Sequence, residues 1–253
     1  GVCAPSAFSE LHPEIQAVAV ELDSLIHDVI VCTREVVRLA NDRLRGEPPA
    51  PSQALVLYMW SLQIIDKAIK HLLDVQARSG GGLPSALVGE WRSFLAGHLA
   101  DDFDKAKLAM KMSVDNSIHT DTPWVTPRGE INEWAMQSAV SPVAERLLYV
   151  AALRAARTAA TEQLLFKLPW KAARNHYARA VLLLCALMLD SHGPVQDFKV
   201  LSSYASLFAA RLAPPPGNPG GSFDVPGLAQ RCSKWGRLNP WAAKGGSQAD
   251  SGR

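Results

Sequence analysis

The chain has 253 residues, of which 48% are hydrophobic and 20% charged, with a formal net charge of +2. That is ample apolar material for one large helical domain or for two modules of about 100 residues each. It carries too little positive charge for the dense basic stripe of a nucleic-acid binder, although Lys and Arg stand against Asp and Glu at 11 to 15 over residues 1–116, 10 to 7 over 117–213 and 5 to 2 beyond.

The first element opens at Pro13, whose fixed backbone suits a first helical turn, with Glu14 beside the positive end of the helix dipole. From there Ile15, Val18, Leu22, Leu25, Val29, Cys32, Val36 and Leu39 recur at alternating spacings of three and four, which predicts a long amphipathic helix ended by Gly46 and Pro48. Val20, Ile26, Ile30, Val31 and Val37 lie off that seam, so more than one side of the helix is expected to be covered. A second helix starts after Pro51 and Ser52 with Leu55, Tyr58, Leu62, Ile65, Ile69 and Leu72 inward and Asp66, Lys67, Lys70 and Asp74 wet, until Ser79–Gly82 breaks it. A third runs from Pro84 to about Met112 and carries Leu87, Trp91, Phe94, Leu95, Leu99, Phe103, Ala106 and Met110 inward or partly inward.

Residues 113–140 lose the period and read as an irregular connector, with Trp124, Trp134 and Met136 too apolar for a free linker and a short helix at Glu130–Ser138. Ser141, Pro142 and Glu145 have the spacing of a capping box and predict the start of a fourth helix there. Its alanines 151, 152, 155, 156, 159 and 160 allow close helix packing. The break at Pro169 starts a fifth helix that stops at Ser191, and a sixth follows from Pro194 to Ala213 with Val195, Phe198, Leu201, Ala205, Phe208 and Leu212 on one face. From Pro214 the composition turns to Pro, Gly, Ser and Asn, which predicts a disordered tail relieved by Phe223, Leu228, Trp235 and Trp241.

The chain repeats itself at an offset of 119 positions. Ala54 aligns with Ala173, Tyr58 with Tyr177, Ser61 with Ala180, Ile64 with Leu183 and Ile65 with Leu184. On a helix the small residue at +3 shares the tyrosine's face and leaves room for another backbone. This duplication favours two three-helix units.

Chemistry is sparse. The seven histidines are dispersed without metal-ligand spacing, and Gly80–Gly82 follows no strand and precedes no Gly-Lys-Ser/Thr, so it reads as an interhelix turn. Asp101, Asp102 and Asp104 read as a solvated face beside Lys105 and Lys107, and no serine sits on a strand-turn-helix elbow. We therefore expect no catalytic residues, metal or cofactor. Cys3, Cys32, Cys185 and Cys232 are far apart and read as free thiols of a reducing compartment. The longest apolar run, Val181–Leu189, is far below the roughly 20 residues of a membrane span, and no signal peptide is recognisable, so a cytoplasmic protein is expected. The start at Gly1, without an initiator methionine, suggests a portion of a longer polypeptide.

What remains are grooves. Val200, Tyr204 and Leu207 form a second apolar stripe on the sixth helix, bordered by Lys199 and Arg211, and Leu99 and Phe103 extend the third helix beyond its Trp91 side. Each stripe either meets the other module or receives a partner's amphipathic helix. Arg146, Arg154 and Arg157 fall within about 80° on the fourth helix. With Lys171, Arg174 and Arg179 they make either ordinary solubilising charge or a face for acidic partner residues or anionic lipid.

Ala144, Glu145, Leu147 and Tyr149, then Arg157–Ala160 with Glu162 and Leu164, then Tyr177, Ala180, Leu183 and Leu184 resemble, in order and spacing, the C-terminal tandem MIT domain of the autophagy-initiating serine/threonine kinases, the ULK family. In the first half, Ala54–Ile69, Trp91 and Asp104–Met112 resemble the corresponding helices, and the likeness covers roughly residues 13–213. The turn Leu168–Trp170 departs from the family's usual polar, acidic one. The resemblance implies an all-α fold of two three-helix MIT-like bundles in tandem, at 13–116 and 141–213, joined by the connector 117–140 and followed by the tail 214–253. It implies a non-catalytic regulatory and targeting domain of a protein kinase whose catalytic motifs are absent here. Its partner would be the HORMA-domain scaffold subunit of the initiation complex, bound through two MIT-interacting helices, at the preautophagosomal structure. A membrane surface, through tethering or the basic face, and a second copy of the chain stand as alternative partners.

Overall fold

A computed structural model describes residues 2–3, 8–9, 11–80, 82–116, 133–167, 170–190, 195–212 and 227–232, without the side chains of 114–116, 133–139, 170–171, 190 and 195–196. All regular structure among them is helical: α1 (Pro13–Arg45), α2 (Pro51–Arg78), α3 (Ser85–Asn116), α4 (Glu133–Leu164), α5 (Trp170–Asp190) and α6 (Val195–Ala210), with a short helix over 227–232. The chain divides between Glu145 and Arg146, inside α4, into two compact units.

In the first unit α2 packs along both α1 and α3, which meet each other over a shorter stretch. Proline starts α1 at its first position, as expected, whereas α2 begins at Pro51 itself, two residues before the expected start, because a proline at the first position gives up an N–H that has no helical partner there. Off-seam Ile26, Ile30 and Val37 are buried as well as the seam itself, because α1 has neighbours on two sides. Val18, placed on the seam by its spacing, is instead exposed, and Ala19 next to it is fully buried. The turn between α2 and α3 uses Gly80 at φ +58°, a left-handed backbone that L side chains resist. At Gly82 a Cβ would stand 2.7 Å from Ile15 Cδ1, so a hydrogen is all that fits against α1 without movement.

Two expectations need correction. Asp102 is not part of a wet face: it is 6% exposed and sits in the buried stripe Val88, Trp91, Leu95, Asp102, Ala106, Ala109 of α3, while Phe103 turns outward and is 50% exposed. The reason is a partner on α2, where the buried Ser61 Oγ donates to Asp102 Oδ2 at 2.9 Å, with Lys105 Nζ donating to Oδ1 at 3.0 Å. The fourth helix, moreover, does not begin at Ser141. It starts at Glu133 and runs through Pro142, merging with the short helix expected at 130–138. An internal proline costs about 3 kcal/mol, but Val140, Ala144 and Leu148, one turn apart, are each at most 1% exposed, and burial of this stripe offsets it.

The second unit comprises the later part of α4 with α5 and α6. Ala155 and Ala156 of α4 cluster with Ala180 of α5, and Phe208 of α6 packs against them. Small side chains let the helices approach closely there, as their spacing in the sequence suggests. The repeat is visible in side-chain roles. Tyr58 and Tyr177 are both buried, each followed by a buried small residue, Ser61 and Ala180, and two buried aliphatics. Each tyrosine hydroxyl donates to a side-chain amide oxygen of the preceding helix, Tyr58 to Asn41 Oδ1 at 2.7 Å and Tyr177 to Gln163 Oε1 at 3.4 Å. Burial and, secondarily, the charge of Asp102 raise the Tyr58 pKa above the ordinary tyrosine value, against the opposing Arg45.

Of the connector expected at 117–140, residues 117–132 lie outside the described residues and 133–140 belong to α4; Phe223, Trp235 and Trp241 also lie outside the described residues. Within the expected disordered tail, residues 227–232 are helical, with Leu228, Ala229 and Cys232 buried. All four cysteines are free thiols.

Candidate helix-binding surfaces

On α6, Phe198, Ala205, Ala209 and, just past its end, Leu212 face the core, which fixes the rotation of the helix and turns Val200, Tyr204 and Leu207 outward. These three are 49%, 37% and 52% exposed at relative positions i, i+4 and i+7, the spacing one helix presents to another. With Lys199 and Ser203 they line a shallow, open depression of about 370 Å³. A ladder of rings supports the stripe from beneath. Tyr204 stacks on Phe208 with centroids 6.0 Å apart, and Phe208 lies 6.3 Å from the buried ring of Tyr177. The stripe is thus an apolar surface on a rigid mount, with a lysine at its edge.

In the first unit Leu99 is half-buried and Phe103 exposed, so the two predicted groove residues of α3 occupy the rim of the seam rather than its interior. Lys107 Nζ lies 4.4 Å from the centre of the Phe103 ring, a cation over an aromatic face. Leu108, one turn on from Asp104, is 56% exposed beside this rim.

The predicted basic face resolves in part. Arg146, Arg154 and Arg157 are exposed on α4 and Arg174 is half-buried on α5, while the side chain of Lys171 lies outside the described residues. Continuing the helical rotation of about 100° per residue, Leu164 follows Arg157 on the same stripe two turns later. There the sequence reading missed a feature. Leu164, Leu165 and Phe166, at the end of α4, are 67%, 74% and 67% exposed, and Lys167 turns the chain at φ 51°. A signal was present, since no Asp or Glu occurs from Gln163 to Leu189 while Lys167, Lys171, Arg174 and Arg179 do.

Among the described residues no three His, Cys, Asp or Glu side chains gather as a metal site, and no helix is long and apolar enough to cross a membrane. His98 and His71 have pKa values lowered by burial foremost, and next by Arg34 and Arg78 respectively. His98 Nε2 and Arg34 Nη2 are 3.4 Å apart, which links α3 to α1.

No family model matches the chain, and the comparisons with curated proteins and with solved structures likewise gave no match.

Proposed function

We propose that this chain is a non-catalytic recognition module that holds amphipathic helices of a partner on the surfaces of its two three-helix units. In the reading that the ULK-family resemblance suggests, it is the regulatory and targeting domain of an autophagy-initiating protein kinase. The partner is then the HORMA-domain scaffold subunit, and the site of action the place of autophagosome assembly. The observation that supports this reading most is the exposed stripe Val200, Tyr204 and Leu207, supported from below by Phe208 and bordered by Lys199. Three large apolar side chains at helical spacing on an exposed face cost hydration in the unbound protein and match the anchors of an incoming helix.

The test is fluorescence anisotropy with a labelled peptide covering the MIT-interacting segment of the scaffold subunit. Leu207→Asp and Tyr204→Asp should each weaken binding at least tenfold, because they place a charge at the centre of the contact. Leu207 is exposed, so thermal unfolding of Leu207→Asp should be unchanged, whereas Tyr204→Asp also gives up its stacking on Phe208 and should melt slightly lower while remaining folded. Unaltered affinity in both variants would refute a role for this face.

A second reading is favoured by a separate observation, the apolar end of α4. Leu164, Leu165 and Phe166 beside Lys167 and the arginine stripe have the chemistry of a segment that dips into an anionic lipid surface. Co-sedimentation with vesicles containing phosphatidylserine should fall with salt and with Phe166→Glu, while peptide binding at α6 is untouched. Sedimentation indifferent to lipid charge and salt would dismiss it.

A further inference from the structure

Three residues before α1, Val2, Cys3 and Phe8, are held against the first unit. The backbone N–H of Val2 donates to both carboxylate oxygens of Asp23 at 3.0 Å each, and that of Cys3 to Oδ1 at 2.9 Å. Asp23 belongs to α1, is 5% exposed, and also receives the indole N–H of Trp91 from α3 at 2.9 Å. Farther along, Phe8 is 7% exposed and stacks on Trp91 with centroids 6.4 Å apart and planes inclined by 24°. Cys3 Sγ lies 3.4 Å from Glu90 Oε2, again on α3. Val2, Cys3 and Phe8 therefore bridge α1 and α3, which pack on each other less than either packs on α2.

A buried carboxylate needs donors, and here two of its three donor groups come from this segment. Burial of the Phe8 ring against Trp91 removes apolar surface from water and adds to the hold of these hydrogen bonds. A carboxylate fork that reads consecutive backbone N–H groups, with an aromatic socket farther on, is how a surface holds an extended peptide. We propose that the α1–α3 channel of the first unit is a peptide-binding site whose resident ligand is the chain's own segment containing Val2, Cys3 and Phe8. The site is closed in cis until that segment is displaced. The consequence for helix recognition rests on the reading given under Proposed function: a partner helix that enters this channel competes with the segment, whereas the α6 stripe of the second unit is open.

The experiment uses the full chain and does not depend on any helical partner. Phe8→Ala removes the aromatic anchor, and Val2→Pro removes one N–H donor without touching the core. Two readouts follow. The first is alkylation of Cys3 at pH 8, the other three cysteines being buried. In the docked segment burial, then Glu90 and Asp23, push the Cys3 thiol up to about 12, so release raises the thiolate fraction and should speed alkylation at least severalfold, after allowance for the weaker nucleophilicity of a less basic thiolate. The second is binding of a labelled peptide of residues 1–12 in trans. Wild-type chain should not bind it, because the tethered copy competes at an effective concentration of about millimolar. Phe8→Ala should bind it at least tenfold more tightly than wild type, and Val2→Pro should do the same more weakly. Equal alkylation rates in wild type and both variants, or equal peptide binding by all three, would overturn the proposal. Unaltered affinity for the helical peptide in Leu207→Asp, with these results obtained, would refute the α6 reading and leave this one standing.

Discussion

Replacing Ser61 by alanine tests whether Asp102 is held in the core by its partner on α2. In the native unit Ser61 Oγ donates to Asp102 Oδ2 at 2.9 Å, both residues are buried, and the other oxygen takes Lys105 Nζ at 3.0 Å from the solvent side. A hydrogen bond to a charged group contributes about 1.5–3 kcal/mol, and the alanine variant leaves Oδ2 unpaired without giving it water. Because Lys105 still balances the charge, we place the loss near the middle, about 2 kcal/mol, or roughly 4–8 °C in midpoint for a unit of this size. Asp102→Leu should cost less, since the stranded Ser61 hydroxyl can turn to a carbonyl in the preceding turn of its own helix. The double variant Ser61→Ala, Asp102→Leu should be close to wild type, because an apolar seam replaces the pair. Urea denaturation followed by circular dichroism, arranged as a double-mutant cycle, measures all three. A Ser61→Ala variant within about 0.5 kcal/mol of wild type would refute the reasoning and mean that water reaches Asp102 in spite of its burial.

Acid should weaken the first unit through His98 and His71. Both have folded pKa values below the ordinary 6.5, so the unfolded chain binds more protons and stability falls as pH drops from above 6.5 toward the lowered values. His98→Gln should flatten the thermal midpoint against pH in that window, even though Asp101 and Asp102 oppose Arg34 and Lys105 around the ring. An unchanged slope would show that burial of the ring, with the Arg34 charge beside it, does not hold His98 neutral. In the second unit, Ala180→Leu should cost about 1–3 kcal/mol in urea denaturation by overfilling the contact with Ala155 and Ala156. Ala160→Leu, at a half-buried position of the same helix run, should cost clearly less, and equal losses would contradict close packing at Ala180.

The six long helices were legible from spacing and punctuation. The proline at the first position of α1 and the glycine turn after α2 are local instructions, and a backbone obeys them wherever its neighbours lie. The repeat of Tyr58 in Tyr177 was equally readable, and its meaning became plain when each hydroxyl met an amide of the preceding helix. The α6 stripe was found from its i, i+4, i+7 spacing, and burial of the opposite face leaves it outward. The start of α4 was misread because a Ser-Pro pair followed by Glu145 carries the signs of a cap, and only burial at Val140 and Ala144 reveals that the helix passes through. The exposed Leu164–Phe166 end was hidden because three apolar residues in a row closing a helix ordinarily signal core.

The sequence by itself therefore determined an all-helical chain, most helix ends and the duplication, since hydrophobic period and turn residues act over a few positions. Tertiary structure alone decided which residues at the edge of each seam face inward. Asp102 took a buried place and Phe103 an exposed one because a hydroxyl 41 positions away supplied the missing hydrogen bond. Likewise, nothing in the pattern of Val2, Cys3 and Phe8 foretells a docked segment. It exists because Asp23 and Trp91, 68 positions apart, meet across two helices, and burial of polar groups is settled by such distant partners rather than by neighbours in the chain.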